Sequence, residues 1–138
     1  MSQRNGIPEY AYPVLTGSGL FNQFWYNFLG DERSYESAEI AISSGSTTSL
    51  IHNLTARPRT AYAVLRCKTA EYGYAAGEEI AVPVFLDGAN DRGAFVSADS
   101  TSLRLIVGAD GISIIRRDTY VFGTITNGNW RLIVRAWL

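Results

Sequence analysis

"TITNGNWRLIVRAWL", residues 124–138, decides how the chain is read. Asn127-Gly128 has the composition of a two-residue hairpin turn, since both central residues of a primed turn need positive φ and Asn and Gly tolerate it. The strand that follows alternates. Trp130, Leu132, Val134 and Ala136 fall on one face, and Arg131, Ile133, Arg135 and Trp137 on the other. The first set makes a core face. The second is too apolar for an ordinary solvated face and reads as a surface that meets a partner. Arg131, Arg135 and Trp137 are therefore the expected interface residues.

Upstream of this strand the same period of two persists. "SYESAEIAI" alternates from Ser34, and "TSLIHNL" and "RTAYAVLRCKT" are strands separated by "TARP". "EEIAVPVFL" carries Pro83, which suits an edge strand or a bulge. "DGANDRG" is a polar loop before a short strand near Ala94–Ser97. "SLRLIVG", "GISIIRR" and "TYVFGTIT" then lead into the final strand through "GADG" and "NG", so the last four strands are expected to form an antiparallel meander. Eight or nine short strands at this spacing predict an all-β fold, an antiparallel β-sandwich.

The N-terminal part differs. Residues 1–17 read as an extended arm, and "SGLFNQFWYNFLGDE" then changes period: Phe21, Phe24, Trp25, Phe28 and Leu29 recur at helical spacing, with Ser18 as a cap and Gly30 as a stop. The expected organisation is an arm and short amphipathic helix over 1–33, serving attachment or oligomerisation, and a β-sandwich domain over 34–138. Phe21, Phe24, Trp25 and Phe28 join the expected oligomer interface.

Bulk composition narrows the function classes. A formal net charge of -1 lacks the basic excess that general nucleic-acid binding requires. Of twelve basic residues only Lys68 is a lysine; arginine suits packed interfaces, and genomic base composition gives the same bias. Cys67 is the sole cysteine, so neither an intrachain disulfide nor a cysteine-based metal site is expected, and its place after Ala63-Val64-Leu65 reads as a buried thiol. "MSQRNGIPEY" lacks the apolar stretch of a signal peptide, and no run reaches membrane-spanning length. Folding in a cytosol, with no membrane insertion, is the expectation.

Groupings that carry chemistry are sparse. His52 is the only histidine, and a lone histidine between Leu50 and Leu54 on a strand reads as structural. Asp87, Asn90 and Asp91 offer oxygen ligands without the later Glu of a calcium loop, so "DGAND" reads as a polar turn. Glu78-Glu79 reads as a solvated strand start rather than half of a glycosidase pair. No cofactor, metal site or catalytic residue is expected, and the chain is not read as an enzyme. Binding chemistry remains. Tyr72 and Tyr74 flank Gly73 and could pack or stack on a sugar, and Asp87, Asp91 and Arg92 bring polar groups to one loop. These five are the candidate ligand-binding residues.

One stretch has a counterpart among known proteins. "TTSLIHNLTARPRTAYAVLRCKTAEYGYAAGEEIAV" resembles a segment recurring in bacteriophage and prophage tail-fibre and receptor-binding proteins. The matching residues are His52, Leu54, Pro58, Leu65 through Glu71, and Gly73 through Glu79; Asn53 stands where glycine is usual and Glu78 where aspartate is usual. The similarity spans about residues 47–138, including the closing W-x-L-x-V-x-A strand. It implies an H-type-lectin-like small sandwich that forms homotrimers. The chain would then be a virion structural protein, made in the host cytoplasm, that attaches to a host surface glycan or mounts another adhesin, with other tail or capsid proteins as partners. The shared motif is scaffold and hands over no ligand-contacting residue. A free-standing carbohydrate-binding lectin and a small polysaccharide-degrading enzyme are the competing readings. Removing residues 1–30 separates the first from the fibre, and product release from polysaccharide reveals the second.

Overall fold

The computed structural model describes residues 33–82 and 90–138, and Ser34–Leu138 forms one compact unit. The expected helix over 18–30, with Phe21, Phe24, Trp25 and Phe28, lies outside the described residues, as do Pro83 and Asp87.

The described part is all-β and antiparallel. Ten strands run in chain order: β1 (Ser34–Glu36), β2 (Ile40–Ala41), β3 (Thr47–Ile51), β4 (Thr60–Cys67), β5 (Glu79–Ala81), β6 (Ala94–Ala98), β7 (Ser102–Val107), β8 (Ser113–Ile115), β9 (Phe122–Thr124) and β10 (Trp130–Trp137). One sheet has the order β1-β10-β4-β5, with β2 also on β10; a second is β3-β7-β6; β8 and β9 form a separate hairpin. The two larger sheets contribute to one core: Leu65, Cys67, Trp130, Leu132 and Val134 from the first, Ala94, Leu103, Leu105 and Val107 from the second. Burial of these alternate residues is the main stabilising term.

β10 explains its own sequence. It is a central strand, paired with β4 along its whole length from Trp130↔Cys67 to Trp137↔Thr60, and with β1 and β2 on its other edge. Trp130, Leu132, Val134 and Ala136 are all fully buried, as the alternation predicts. On the opposite face Ile133 and its partner Val64 are only 1% and 4% exposed. Arg135 faces Tyr62 and Glu79 faces Arg66 in the register, so the Arg135–Glu79 bridge runs diagonally across Val64. Arg66 shares Glu79 and also holds Glu39, which Lys68 holds as well, and Arg135 holds Glu36. This charged lattice spans β4, β5 and β10 on the face that carries Val64 and Ile133.

Three expectations are corrected. The last four strands do not form a meander: β7 pairs with β3 and β6, β8 pairs with β9 alone, and β10 crosses to the other sheet. An eight-residue strand furnished on both faces is stabilised best at a sheet centre, which a meander edge does not offer. Asn127-Gly128 is not a primed turn; Asn127–Asn129 forms a short 3-10 turn, with Asn129 N–H donating to the Thr126 carbonyl at 2.9 Å. "SYESAEIAI" is not one strand either. It breaks at Ser37, whose N–H donates to the Val134 carbonyl while its Oγ accepts from Val134 N–H, both at 2.9 Å. A side-chain oxygen thus replaces a backbone rung, and β1 and β2 sit in succession along one edge of β10.

The smaller readings hold. β5 closes its sheet as an edge strand just before Pro83. His52 is buried and structural: Nδ1 accepts from Leu54 N–H at 2.9 Å, so Nε2 carries the proton and donates to the Asp99 carbonyl at 3.0 Å. Asn53 adopts φ 52, the left-handed conformation that Asn tolerates where glycine is usual. Cys67 is buried, and burial pushes its thiol up, which suppresses the reactive thiolate.

Candidate functional site

The two-residue turn expected at Asn127-Gly128 occurs instead at Tyr72-Gly73. Glu71 and Tyr74 exchange backbone hydrogen bonds at 3.2 and 2.9 Å, and the residues between them have φ of 56 and 84. That is a primed hairpin with tyrosine in a left-handed conformation, a strain of about 1 kcal/mol that its contacts must offset. Tyr72 Oη donates to the Thr124 carbonyl and Tyr74 Oη to the Ile115 carbonyl, each at 2.7 Å. Arg116 lies over the Tyr72 ring and Arg117 over the Tyr74 ring, each 4.5 Å from the centroid. The expected ligand pair therefore bolts the turn to β8 and β9. A shallow concavity of about 390 Å³ remains beside it, lined by residues 70–75.

Glu71 secures the other side. It accepts from Trp130 Nε1 at 2.6 Å, from Thr126 N–H at 3.1 Å and from Asn129 Nδ2 at 3.4 Å. Burial pushes this carboxyl up, but the bonds from Thr126, Trp130 and Asn129 outweigh it and hold the group below its ordinary value. Glu71, absent from the candidate residues, thus locks the turn to the start of β10.

The bolted hairpin carries a crest of exposed apolar side chains. Ile115 and Phe122 are cross-strand partners, and Tyr120 and Val121 sit in the connecting loop. Tyr120 is 82% exposed, and Ile115, Val121 and Phe122 are each more than half exposed. The loop beneath them is stiff: Arg116 N–H donates to Val121 O, Tyr120 N–H to Arg116 O, and Arg117 N–H to Tyr72 O. Arg116 pairs with Asp118, and Arg117 with Glu78. A Cβ at Gly123 would come within 3.0 Å of the Arg116 side chain, so the layers are in close contact. Sequence reasoning missed this crest because "TYVFGTIT" has the composition of a buried strand. The available signal was the excess of apolar residues around so short a loop.

Asp91 and Arg92 come together in a different place. With Asn90, Gly93, Phe95, Ile106 and Gly108 they line a groove of about 240 Å³. Its backbone is pinned: Asp91 N–H donates to the Asp110 carboxylate at 2.8 Å, Asp110 N–H to the Asp91 carbonyl, and Gly93 and Gly108 are bonded to Gly111 and Gly93. A Cβ at Gly108 would lie 2.3 Å from the Asp91 carbonyl oxygen, so only glycine fits. Phe95 and Ile106, cross-strand partners, supply an exposed apolar wall.

The expected interface residues occupy the outer face of β10. Arg131 donates to the Gly128 and Trp130 carbonyls and Arg135 is held by Glu36 and Glu79, so both guanidiniums are turned onto their own chain. Trp137 stacks on Tyr62 with centroids 5.6 Å apart and planes at 25°, beside a groove of about 330 Å³ that Ser34, Glu36 and Arg135 also line. Among the described residues no three His, Cys, Asp or Glu side chains gather to hold a metal, and no helix is long and apolar enough to cross a membrane. In comparison with known proteins, no family model matches the chain and no curated protein matches it.

Proposed function

We propose that the chain is a bacteriophage virion protein of tail-fibre or receptor-binding type, whose β-domain attaches the particle to a glycan on the host surface or mounts another adhesin. The observation that carries this reading is the crest of Ile115, Tyr120, Val121 and Phe122, presented on a hairpin whose loop is held by backbone bonds from Arg116, Arg117, Asp118 and Tyr120. Exposing apolar side chains costs solubility, and holding them rigid lowers the entropy lost on binding, which together suit a contact surface. The tail-fibre resemblance supports the same reading. Its residues form β4, the Tyr72-Gly73 turn and the approach to β5, the scaffold on which the crest is mounted. Homotrimeric assembly is part of this proposal.

The test is adsorption of the labelled full-length protein to a panel of bacterial cells and to their extracted surface polysaccharides. Wild-type protein should adsorb to a subset of the panel. Tyr120→Ala should reduce that adsorption by about tenfold, the loss of roughly 1.4 kcal/mol, with an unchanged melting temperature. Adsorption that is undiminished in Tyr120→Ala, or absent across the panel, overturns the reading.

A further inference from the structure

We propose that the groove between Asn90–Gly93 and the Phe95–Ile106 pair is a binding site for the carboxylate of an acidic sugar. This rests on the attachment reading above and specifies the chemistry of the glycan. Arg92 is the reason. Among the described arginines that are partly buried, Arg66, Arg116 and Arg135 hold carboxylates and Arg131 donates to backbone carbonyls. Arg92 does neither, and its Nε is sealed from solvent with no acceptor. The guanidinium is partly removed from water, with one donor orphaned and no carboxylate bonded to it among the described residues. Its remaining N–H donors are likewise unbonded there, and the planar fork suits a carboxylate.

The rest of the groove selects among anions. Phe95 and Ile106 form an apolar wall on which the C–H face of a sugar ring packs. Asp91 lines the groove and Asp110 is bonded to its backbone, so the site tolerates one negative charge and repels a run of them. That disfavours an acidic peptide and favours a single uronic-acid-like residue whose hydroxyls Asp91 can accept. At about 240 Å³ the groove is smaller than the roughly 300–1,000 Å³ of drug-sized pockets, which suits one ring. The bonds joining residues 91–93 to 108–111 fix the backbone that carries Arg92, so little ordering remains to be done on binding.

Calorimetric titration of the full chain at low salt with sodium glucuronate, glucose and a hexaglutamate peptide tests this. Glucuronate should bind at least about tenfold more tightly than glucose, the difference of one charge-assisted contact. Arg92→Gln should abolish that preference without lowering the melting temperature, because it removes an unsatisfied cation, and Arg92→Lys should retain part of it. Equal binding of glucose, no binding of glucuronate, tighter binding of hexaglutamate, or full affinity in Arg92→Gln overturns the proposal. If the protein still adsorbs to cells through Tyr120 while glucuronate fails to bind, the acidic-sugar site falls and the attachment function stands. Glucuronate binding without adsorption to any cell gives the reverse.

Discussion

Glu71 ties its own turn to residues 126–130, a stretch distant in sequence, and its replacement should be felt beyond that turn. Glu71→Ala leaves the indole N–H of the fully buried Trp130 without an acceptor and frees Thr126 N–H. The expected cost is about 3 kcal/mol, since bonds to a charged group contribute roughly 1.5–3 kcal/mol each and a buried orphan adds a penalty. Glu71→Gln should cost about half as much, because the amide oxygen serves Trp130 while its N–H₂ meets the donor of Thr126. Urea unfolding with Trp fluorescence measures both; equal stability of Glu71→Ala and wild type would contradict the bolt. Gly108→Ala is the second residue-scale case. Its methyl would collide with the Asp91 carbonyl, and overpacking of this kind typically costs about 1–3 kcal/mol. Loss of the Arg92 groove should accompany that loss of stability. At this scale the sequence disclosed the packing role of Cys67 and His52 but not Glu71. An acidic residue at a turn looks solvated until the strand that supplies its donors is placed beside it.

Elements show where pattern reading succeeds and where it fails. Strand patterning placed the strand segments but merged β1 and β2 into one, because the pleat sends alternate side chains to opposite faces and the break at Ser37 leaves that alternation intact. Pairing was less legible. Asn127-Gly128 has stronger turn chemistry than Tyr72-Gly73, yet the tyrosines win the primed turn because their hydroxyls, their rings and the adjacent Glu71 all gain partners there. The carboxylates that join elements set the pH response. Asp99 caps the turn into β7, and the N–H groups of Thr101 and Ser102 hold it at about 2. Arg66 and then Arg135 hold Glu79 below its ordinary value. Groups with depressed folded-state pKa values contribute stability that is complete above their unfolded values and is lost as pH falls through the folded ones. Melting temperature should therefore stay level from neutral pH down to about 5 and decline from about pH 4 toward 2. Glu71→Gln should show a smaller acid decline than wild type. A steep loss between pH 7 and 5 would contradict this assignment.

For the described domain, a two-sheet core with a bolted hairpin would, on the proposed function, separate stability from recognition. The core and the lattice over Val64 and Ile133 hold the domain. The exposed side chains of the crest and the groove wall lie outside the buried core cluster. The fold class was legible because burial imposes periodicity on a sequence. The crest was not, because exposure belongs to the assembled surface and leaves no periodic trace. Arg135 and Trp137 were legible as members of an unusual face, and the structure gives that face an internal lattice and a half-exposed aromatic pair. If Tyr62 and Trp137 also meet a neighbouring copy, Trp137→Ala should lower the assembly state while leaving the unfolding free energy of the domain, from urea titration, within about 1 kcal/mol. Native mass in that variant would remove Trp137 from the interface.

On the proposed function, this chain is a subunit of a multi-copy appendage that attaches a particle to a cell. Light scattering on the purified full-length protein tests it most directly. A solution mass three times the 15.2 kDa of one chain is the predicted result. A mass of one chain at every concentration would contradict it.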